Sequence, residues 1–195
     1  MIEMNGKEIR NQLLKEYKEI LGKYNFKILS QLEAGLDFEV EEDGSTFEEN
    51  AKIKAEAIYN MTKKSVLSDD SGLEIEALNN EPGVYSARYK GLPTQDERIS
   101  YILNVMKDET NRKARFVTTI CYIDNNGHEE LFTGTWDGEI ARTREGTNGF
   151  GYDSIFISED GNGKTTASYP IEFKEKYSHR TKAVKLLLDY LNKRE

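Results

Sequence analysis

The sequence predicts an α/β fold in which helices flank a long β-sheet. Apolar residues at helical spacing predict helices at residues 5 to 24 and 182 to 191. Between them, residues 114 to 122 and 129 to 136 are rich in β-branched and aromatic side chains, which is typical of strands. With 195 residues, the chain is expected to form one domain over its whole length.

The first 45 residues contain few clear elements. The helix at residues 5 to 24 is expected to end at Gly22, because glycine is common just after a helix. Residues 26 to 29 then predict a short strand, and residues 39 to 44 form an acidic turn. The helical pattern is thus the main structural signal of this part of the chain.

The clearest local signal is a helix start at Thr46. Glu49 lies three residues later, which is the spacing of a capping box. Helix-forming residues continue through Ala57 to about Met61. A helix is therefore predicted over this stretch.

Two adjacent carboxylates follow a predicted buried strand at residues 65 to 68. The run is Asp69-Asp70-Ser71-Gly72, and a turn at Gly72 is expected to bring both carboxylates to one site, with a helix at residues 73 to 77 after it. Such a pair suits magnesium, which takes oxygen ligands. The alternative is a solvated turn in which Asp or Ser caps the next helix.

The remaining predicted elements alternate between strands and helices. In chain order they are a helix at 95–106, paired strands at 114–122 and 129–136 with a turn at 124–127, a third strand at 137–142, a loop at 146–153, a strand at 154–157 and a helix at 182–191.

The loop Gly149-Phe-Gly-Tyr-Asp153 is a candidate site for a flat ligand. Its two glycines let the backbone come close, Phe150 or Tyr152 can stack on a base, and Asp153 can accept hydrogen bonds from base N–H groups. The alternative is a β-turn with core aromatic residues, because Gly-x-Gly alone is weak evidence.

Two charged clusters are further candidates. Ser178-His179-Arg180 follows Lys174, and arginine binds phosphate or carbonyl oxygens through its fork, although an ordinary basic helix start has the same composition. Glu41-Glu42-Asp43 precedes the capped helix, where acids are favoured by the helix dipole and can also ligate a metal. His128 lies by the hairpin turn and is expected at the surface.

Composition excludes several classes of function. The net charge of −8 argues against a nucleic-acid-binding surface, and the longest apolar run, Leu186 to Leu188, is too short for a membrane span. Cys121 is the only cysteine, so no intrachain disulfide can form and a cytoplasmic location is expected.

Five segments form an ordered pattern along the chain. They are Thr46-Phe-Glu-Glu-Asn-Ala51, Ser68-Asp-Asp-Ser-Gly-Leu73, Pro82-Gly-Val-Tyr-Ser-Ala-Arg-Tyr-Lys-Gly91, Gly149-Phe-Gly-Tyr-Asp153 and Ser178-His-Arg180. In this order they resemble the signature blocks of the inosine triphosphate pyrophosphatase (XTP/dITP diphosphatase) family. The resemblance extends from about residue 20 to the C-terminus.

The resemblance implies an ITPase-like fold and a specific reaction. The expected fold is a long, twisted, mixed sheet with flanking helices that forms two lobes around a central cleft, and a homodimer is expected. The expected substrates are XTP, ITP and dITP, cleaved between the α and β phosphates with Mg²⁺ as cofactor.

The resemblance also implies site residues. Asp70 corresponds to the proton acceptor beside the magnesium, and Glu42 and Asp69 match the other acidic positions near the metal. The substrate-contacting positions are Ser71, Phe150, Gly151, Tyr152, Asp153, Lys174, His179 and Arg180.

The N-terminus departs from the family pattern. The family begins with an apolar strand and a loop whose lysine binds the triphosphate, but residues 1 to 18 do not match it. Lys7, Arg10 or Lys15 is a possible substitute for that lysine. The alternative function is a nucleotide-binding paralogue with little or no turnover.

Overall fold

The computed structural model describes residues 14, 15, 17, 18, 21 and 27–194. The chain divides into two compact units between Glu41 and Glu42. In the described part of the chain, no helix is both long and apolar enough to cross a bilayer.

The first unit confirms part of its predicted structure. All five described residues before residue 22 are helical, while the remainder of the predicted helix at residues 5 to 24, with Lys7 and Arg10, lies outside the described residues. The predicted strand at 26–29 is wrong at residues 27–29, which are irregular and pair with none of the described strands. Residue 26 lies outside the described residues.

The second unit contains a five-stranded sheet with flanking helices. Its elements are α1 Phe47–Thr62, β1 Val66–Ile75, β2 Glu81–Pro82, α2 Gln95–Val105, β3 Lys113–Ile123, β4 Glu129–Ile140, β5 Phe156–Ser158, α3 Ile171–Tyr177 and α4 His179–Asn192. The strand order is β2-β1-β3-β4-β5, and each neighbouring pair is antiparallel. The predicted α/β class is confirmed, although the parallel pairing of a mixed sheet does not occur among these five strands.

The helix predicted from Thr46 is confirmed as α1. The Thr46 hydroxyl accepts a hydrogen bond from the Glu49 amide at 3.1 Å. The Glu49 carboxylate accepts from the Ser45 amide at 2.7 Å, so the return bond of the capping box forms one residue earlier than the sequence predicts.

The predicted turn and helix after Asp69-Asp70-Ser71-Gly72 are wrong. β1 continues to Ile75, and only a short 3₁₀ turn at Glu76–Leu78 follows. Leu73 and Ile75 are both fully buried with Glu74 between them, which is the two-residue period of a strand. The two aspartates therefore lie in the middle of the strand.

The hairpin of β3 and β4 is confirmed, but the predicted third strand is not separate. The stretch predicted at 137–142 continues β4 as far as Ile140. Gly138 permits this continuation, because a Cβ there would lie 2.2 Å from the carbonyl oxygen of Ile157 in β5. The predicted strand at 154–157 begins only at Phe156, after a 3₁₀ turn at Asp153–Ile155.

Helices α1 and α4 cover opposite faces of the sheet. Thr119 of β3 contacts Glu48 of α1, whereas a Cβ at Gly134, which pairs with Thr118, would meet the backbone of α4. Successive residues of a strand point to opposite faces. Asp70, opposite Thr119, therefore faces α1, and Asp69 faces α4.

The helices at 95–106 and 182–191 are confirmed as α2 and α4. α4 starts three residues earlier than predicted, at His179, because the Ser178 hydroxyl caps it by accepting from the Thr181 amide at 3.2 Å. His179 and Arg180 consequently occupy the first turn of a helix that packs on the sheet. His128 is exposed, as predicted.

Candidate active site

Asp70 lies in a small polar cluster between β1 and α1. Its Oδ2 accepts a hydrogen bond from the Asn50 side-chain amide at 3.1 Å, and its Oδ1 lies 3.4 Å from the Lys54 ammonium. The side chain is 13% exposed. Burial raises the pKa of Asp70, and the Lys54 charge and the Asn50 hydrogen bond offset only part of this effect.

Lys54 joins Asp70 to Glu42. Its Nζ donates to Oε2 of Glu42 at 3.0 Å. Burial lowers the pKa of Lys54, but the charges of Asp70 and Glu42 together outweigh burial, so the pKa lies above its usual value. Arg88 holds the Glu42 backbone by donating to its carbonyl oxygen at 3.2 Å.

Glu42 and Asp70 are the carboxylates suited to hold a magnesium ion, whereas Asp69 lies outside their cluster. Magnesium is commonly held through one or two carboxylates together with water and phosphate oxygens. Glu42 and Asp70 provide two carboxylates around one cation, Lys54. Asp69 is on the other face of the sheet, and the described residues contain no group of three or more His, Cys, Asp or Glu that could hold a metal ion.

Asp69 belongs to a second cluster, between β1 and α4. Its Oδ2 accepts from the Ser71 hydroxyl at 3.2 Å and lies 3.7 Å from Nε of Arg180. The Ser71 hydroxyl also bonds to the Thr118 hydroxyl of β3. Asp69 thus orients a nearly buried guanidinium and does not share a site with Asp70.

His179 lies beside this cluster, at the first position of α4. Its ring stacks on Phe116 at 5.1 Å and on Trp136 at 6.5 Å between centroids, two residues that are cross-strand partners. Burial, together with the positive charges of Arg180 and other basic residues, holds the pKa of His179 well below its usual value. The imidazole is therefore neutral at pH 7, and its Nδ1 has no hydrogen-bond partner among the described residues.

Asp153 organises the aromatic loop from inside. Its Oδ2 accepts from the Lys174 ammonium at 2.6 Å and from the Phe150 amide at 2.9 Å, and its Oδ1 accepts from the Thr166 hydroxyl at 3.1 Å. Lys174 also lies over the Phe150 ring, 4.4 Å from its centroid. Asp153 is 3% exposed, so its carboxylate accepts its hydrogen bonds from groups inside the protein.

The loop needs glycine for its shape. Gly149 has φ +75°, and a Cβ there would lie 2.1 Å from Oδ2 of Asp153. Gly151 has φ +60° with open space around its Cα. Tyr152 is buried and donates its hydroxyl to the Ser86 carbonyl at 2.8 Å, and burial raises its pKa to about 12. Of the two aromatic side chains, Phe150 is the more accessible.

The partners that hold these groups were not predicted from the sequence. Asn50 and Lys54 are four residues apart and share one face of α1, a spacing that the sequence contains. Thr166 and Ser86 are contributed by distant segments, and no local pattern indicates them. The acidic positions Glu42 and Asp70 are brought together, as are Phe150, Asp153 and Lys174.

Comparison with known proteins gives one family over nearly the whole chain. The profile of the Ham1 family matches residues 11–190. A dITP/XTP pyrophosphatase of Staphylococcus epidermidis is 46% identical over 179 residues, which are 91% of this chain and 90% of that protein.

Solved structures agree in fold. The Ham1 protein of Staphylococcus aureus has a TM-score of 0.87 at 41% identity, covering 94% of this chain and 95% of that one. A HAM1 protein from Coxiella burnetii has a TM-score of 0.86 at 39% identity, covering 93% and 94%. The family resemblance seen in the five sequence segments is thereby confirmed, and the chain belongs to the Ham1 family.

Proposed function

We propose that this chain is a hydrolase that converts dITP, XTP and ITP to the nucleoside monophosphate and pyrophosphate, with magnesium as cofactor. The observation that carries the proposal is the Asp70 cluster, in which a largely buried carboxylate, a second carboxylate and a lysine meet on one face of the sheet. The relatives named dITP/XTP pyrophosphatase support the substrate class.

Asp70 is the proposed general base. Asn50 fixes its Oδ2 through a hydrogen bond, and Oδ1 remains on the side of Lys54. In this position Asp70 can take the proton of a water molecule that attacks the triphosphate. Lys54 supplies a point charge for the phosphate oxygens.

Glu42 and Asp70 are the residues that would hold the magnesium. When bound, the ion neutralises charge on the phosphate oxygens and orients them. Arg88 supports this arrangement by holding the backbone of Glu42. Asp69 contributes differently, by orienting Arg180.

The base end of the substrate is assigned to the second cluster and the aromatic loop. Phe150 can stack on the purine, and Arg180 or neutral His179 can donate to its six-position carbonyl. Adenine has an amino group there, so a donor would face a donor. A buried donor left without a partner costs about 1–3 kcal/mol, which gives roughly tenfold or greater discrimination per group.

Two finer properties belong to the same proposal. The homodimer is implied by the family resemblance, and the cytoplasmic location is expected from the single cysteine. Sedimentation of the purified protein tests the first property, and fractionation of the cell of origin tests the second.

The proposed function is tested by a substrate panel. The purified protein is incubated with dITP, XTP, ITP, dATP and GTP plus Mg²⁺, and initial rates and products are measured. We expect pyrophosphate release from dITP, XTP and ITP at rates at least about tenfold above that for dATP, while guanine has the same six-position carbonyl and is not rejected by this contact. Similar rates on all five would contradict the substrate class, and binding of dITP without turnover would identify a nucleotide-binding paralogue.

Two variants connect the activity to the cluster. Asp70→Asn is nearly isosteric, and we expect it to abolish turnover while leaving the circular dichroism spectrum unchanged. Lys54→Met keeps most of the length of the side chain and removes its charge, so the KM for dITP should rise. Full activity in both variants would remove this cluster from the reaction.

A further inference from the structure

Ser86 lies between the acidic strand and the aromatic loop. It is 9% exposed and follows the 3₁₀ turn Gly83–Tyr85. Its hydroxyl accepts from the Leu73 amide of β1 at 2.9 Å and donates to the Gly83 carbonyl at 2.7 Å. Its own carbonyl accepts from the Tyr152 hydroxyl at 2.8 Å. One small residue therefore bonds to both halves of the candidate site.

The hydroxyl of Ser86 replaces a strand partner at the edge of β1. β2 pairs only with Glu74 and Ile75, so the ladder on this edge stops just before Leu73. Leu73 is fully buried, and a buried amide without an acceptor is costly. Ser86 supplies that acceptor. The anchored residue, Leu73, follows Asp69, Asp70 and Ser71 by two to four positions in β1.

Packing against Gly72 makes this contact close. A Cβ at Gly72 would lie 2.3 Å from the Gly83 carbonyl oxygen and 2.6 Å from the Ser86 hydroxyl. The strand backbone and the turn at residues 83–85 thus touch without an intervening side chain. A shift of this turn toward β1 would therefore push against the acidic strand.

On the other side, Tyr152 transmits the position of Ser86 to the loop. Tyr152 is buried within the core cluster and lies two residues after Phe150. Its hydroxyl bonds to Ser86 across 66 residues of sequence. The Phe150 ring is therefore held relative to β1 through Tyr152 and Ser86.

We propose that Ser86 is a positioning residue that sets the separation between the phosphate end and the base end of the active site. This inference rests on the proposed function, because it takes Asp70 as the phosphate end and Phe150 as the base end. A ligand that spans both ends depends on their separation, whereas a ligand that occupies one end does not.

The test compares ligands that span the site with ligands that occupy one end. Ser86→Ala is assayed for dITP hydrolysis and for inhibition by inorganic pyrophosphate and by deoxyinosine. We expect kcat/KM for dITP to fall about tenfold, mainly through KM, with both inhibition constants within about twofold of wild type. Ser65→Ala is the matched control, because its hydroxyl bonds to Asn125 before β1 begins, and it should change none of these values.

A second variant covers the possibility that Ser86→Ala does not fold. Tyr152→Phe removes one hydroxyl and its bond to Ser86, and we expect the same pattern with a smaller loss on dITP. Unchanged kcat/KM for dITP in both variants would overturn the inference. Equal weakening of dITP, pyrophosphate and deoxyinosine would overturn it too, because a general loss of structure weakens all three.

Failure of the proposed function gives a different result. If the wild-type protein does not hydrolyse dITP, the proposed function is wrong and the inference falls with it. If the wild-type protein hydrolyses dITP and Ser86→Ala retains its full kcat/KM, only the inference is wrong.

Discussion

Asp153→Asn should destabilise the protein by about 2 kcal/mol. The carboxylate is almost completely buried and accepts hydrogen bonds from the Phe150 amide, the Thr166 hydroxyl and the Lys174 ammonium. Asparagine keeps one acceptor oxygen and replaces the other with an NH₂ group. The NH₂ group then faces either the Thr166 hydroxyl or the Phe150 and Lys174 donors.

The expected loss of free energy follows from the orientation of the asparagine amide that loses fewer hydrogen bonds. If its oxygen takes the place of Oδ2, Lys174 and Phe150 keep an acceptor and the Thr166 hydroxyl still reaches the Asp153 carbonyl at 3.1 Å. What is lost is the charge of the bond to Lys174, and a charge-assisted hydrogen bond contributes about 1.5–3 kcal/mol. Removing one partner of a fully buried ion pair costs about 3–5 kcal/mol, but Lys174 is 14% exposed and can reach solvent.

The assay is urea unfolding monitored by fluorescence of Trp136, the only tryptophan of the chain, which lies in the core. The matched control is Asp137→Asn, the same change at an exposed position of β4, where the free energy of unfolding should change by less than about 0.5 kcal/mol. A change below about 0.5 kcal/mol for Asp153→Asn as well would refute the assignment of this carboxylate to the interior of the loop.

Two further predictions concern backbone shape and pH. Gly149→Ala should destabilise the protein by at least about 1 kcal/mol more than Gly163→Ala, because both glycines have φ +75° but only the first brings a Cβ against Asp153; equal unfolding midpoints would contradict this. His179 is neutral when folded and binds a proton in the unfolded chain below pH about 6.5, so its contribution is complete above that pH and is lost as the pH falls. Between pH 7.5 and 5.5 the wild-type protein and a His128→Gln control should each lose about 1 kcal/mol more than His179→Phe, and identical losses in all three would show that His179 does not titrate in this way.

The parts of the fold that depend on local signals could be predicted. The start of α1 follows from Thr46 and Glu49, and the β3–β4 hairpin follows from β-branched strands around a turn. The length of β1 could not be predicted in this way, because all ten of its residues pair with β3, 39 to 57 positions away. The alternation of buried Leu73 and Ile75 with Glu74 indicates a strand, whereas the composition of residues 73–77 favours the helix predicted there.

The candidate site could likewise be predicted only in part. Asp70, Phe150 and Arg180 were candidates from the residue pattern, and the family resemblance assigned their expected roles. The opposite directions of Asp69 and Asp70 follow from the strand that contains them. Their supporting partners come from other segments, so their roles depend on tertiary structure. Ser86 is the clearest example, since its neighbours in sequence contain no sign of a bond to Tyr152.

The most direct test of the central claim is identification of the products formed from dITP. Wild-type protein and Asp70→Asn are incubated with dITP and Mg²⁺, and the phosphorus-31 NMR spectrum is followed with time. We expect the wild-type protein to form dIMP and pyrophosphate in equal amounts and the variant to leave dITP intact. Formation of dIDP and orthophosphate, or equal turnover by the variant, would contradict this claim.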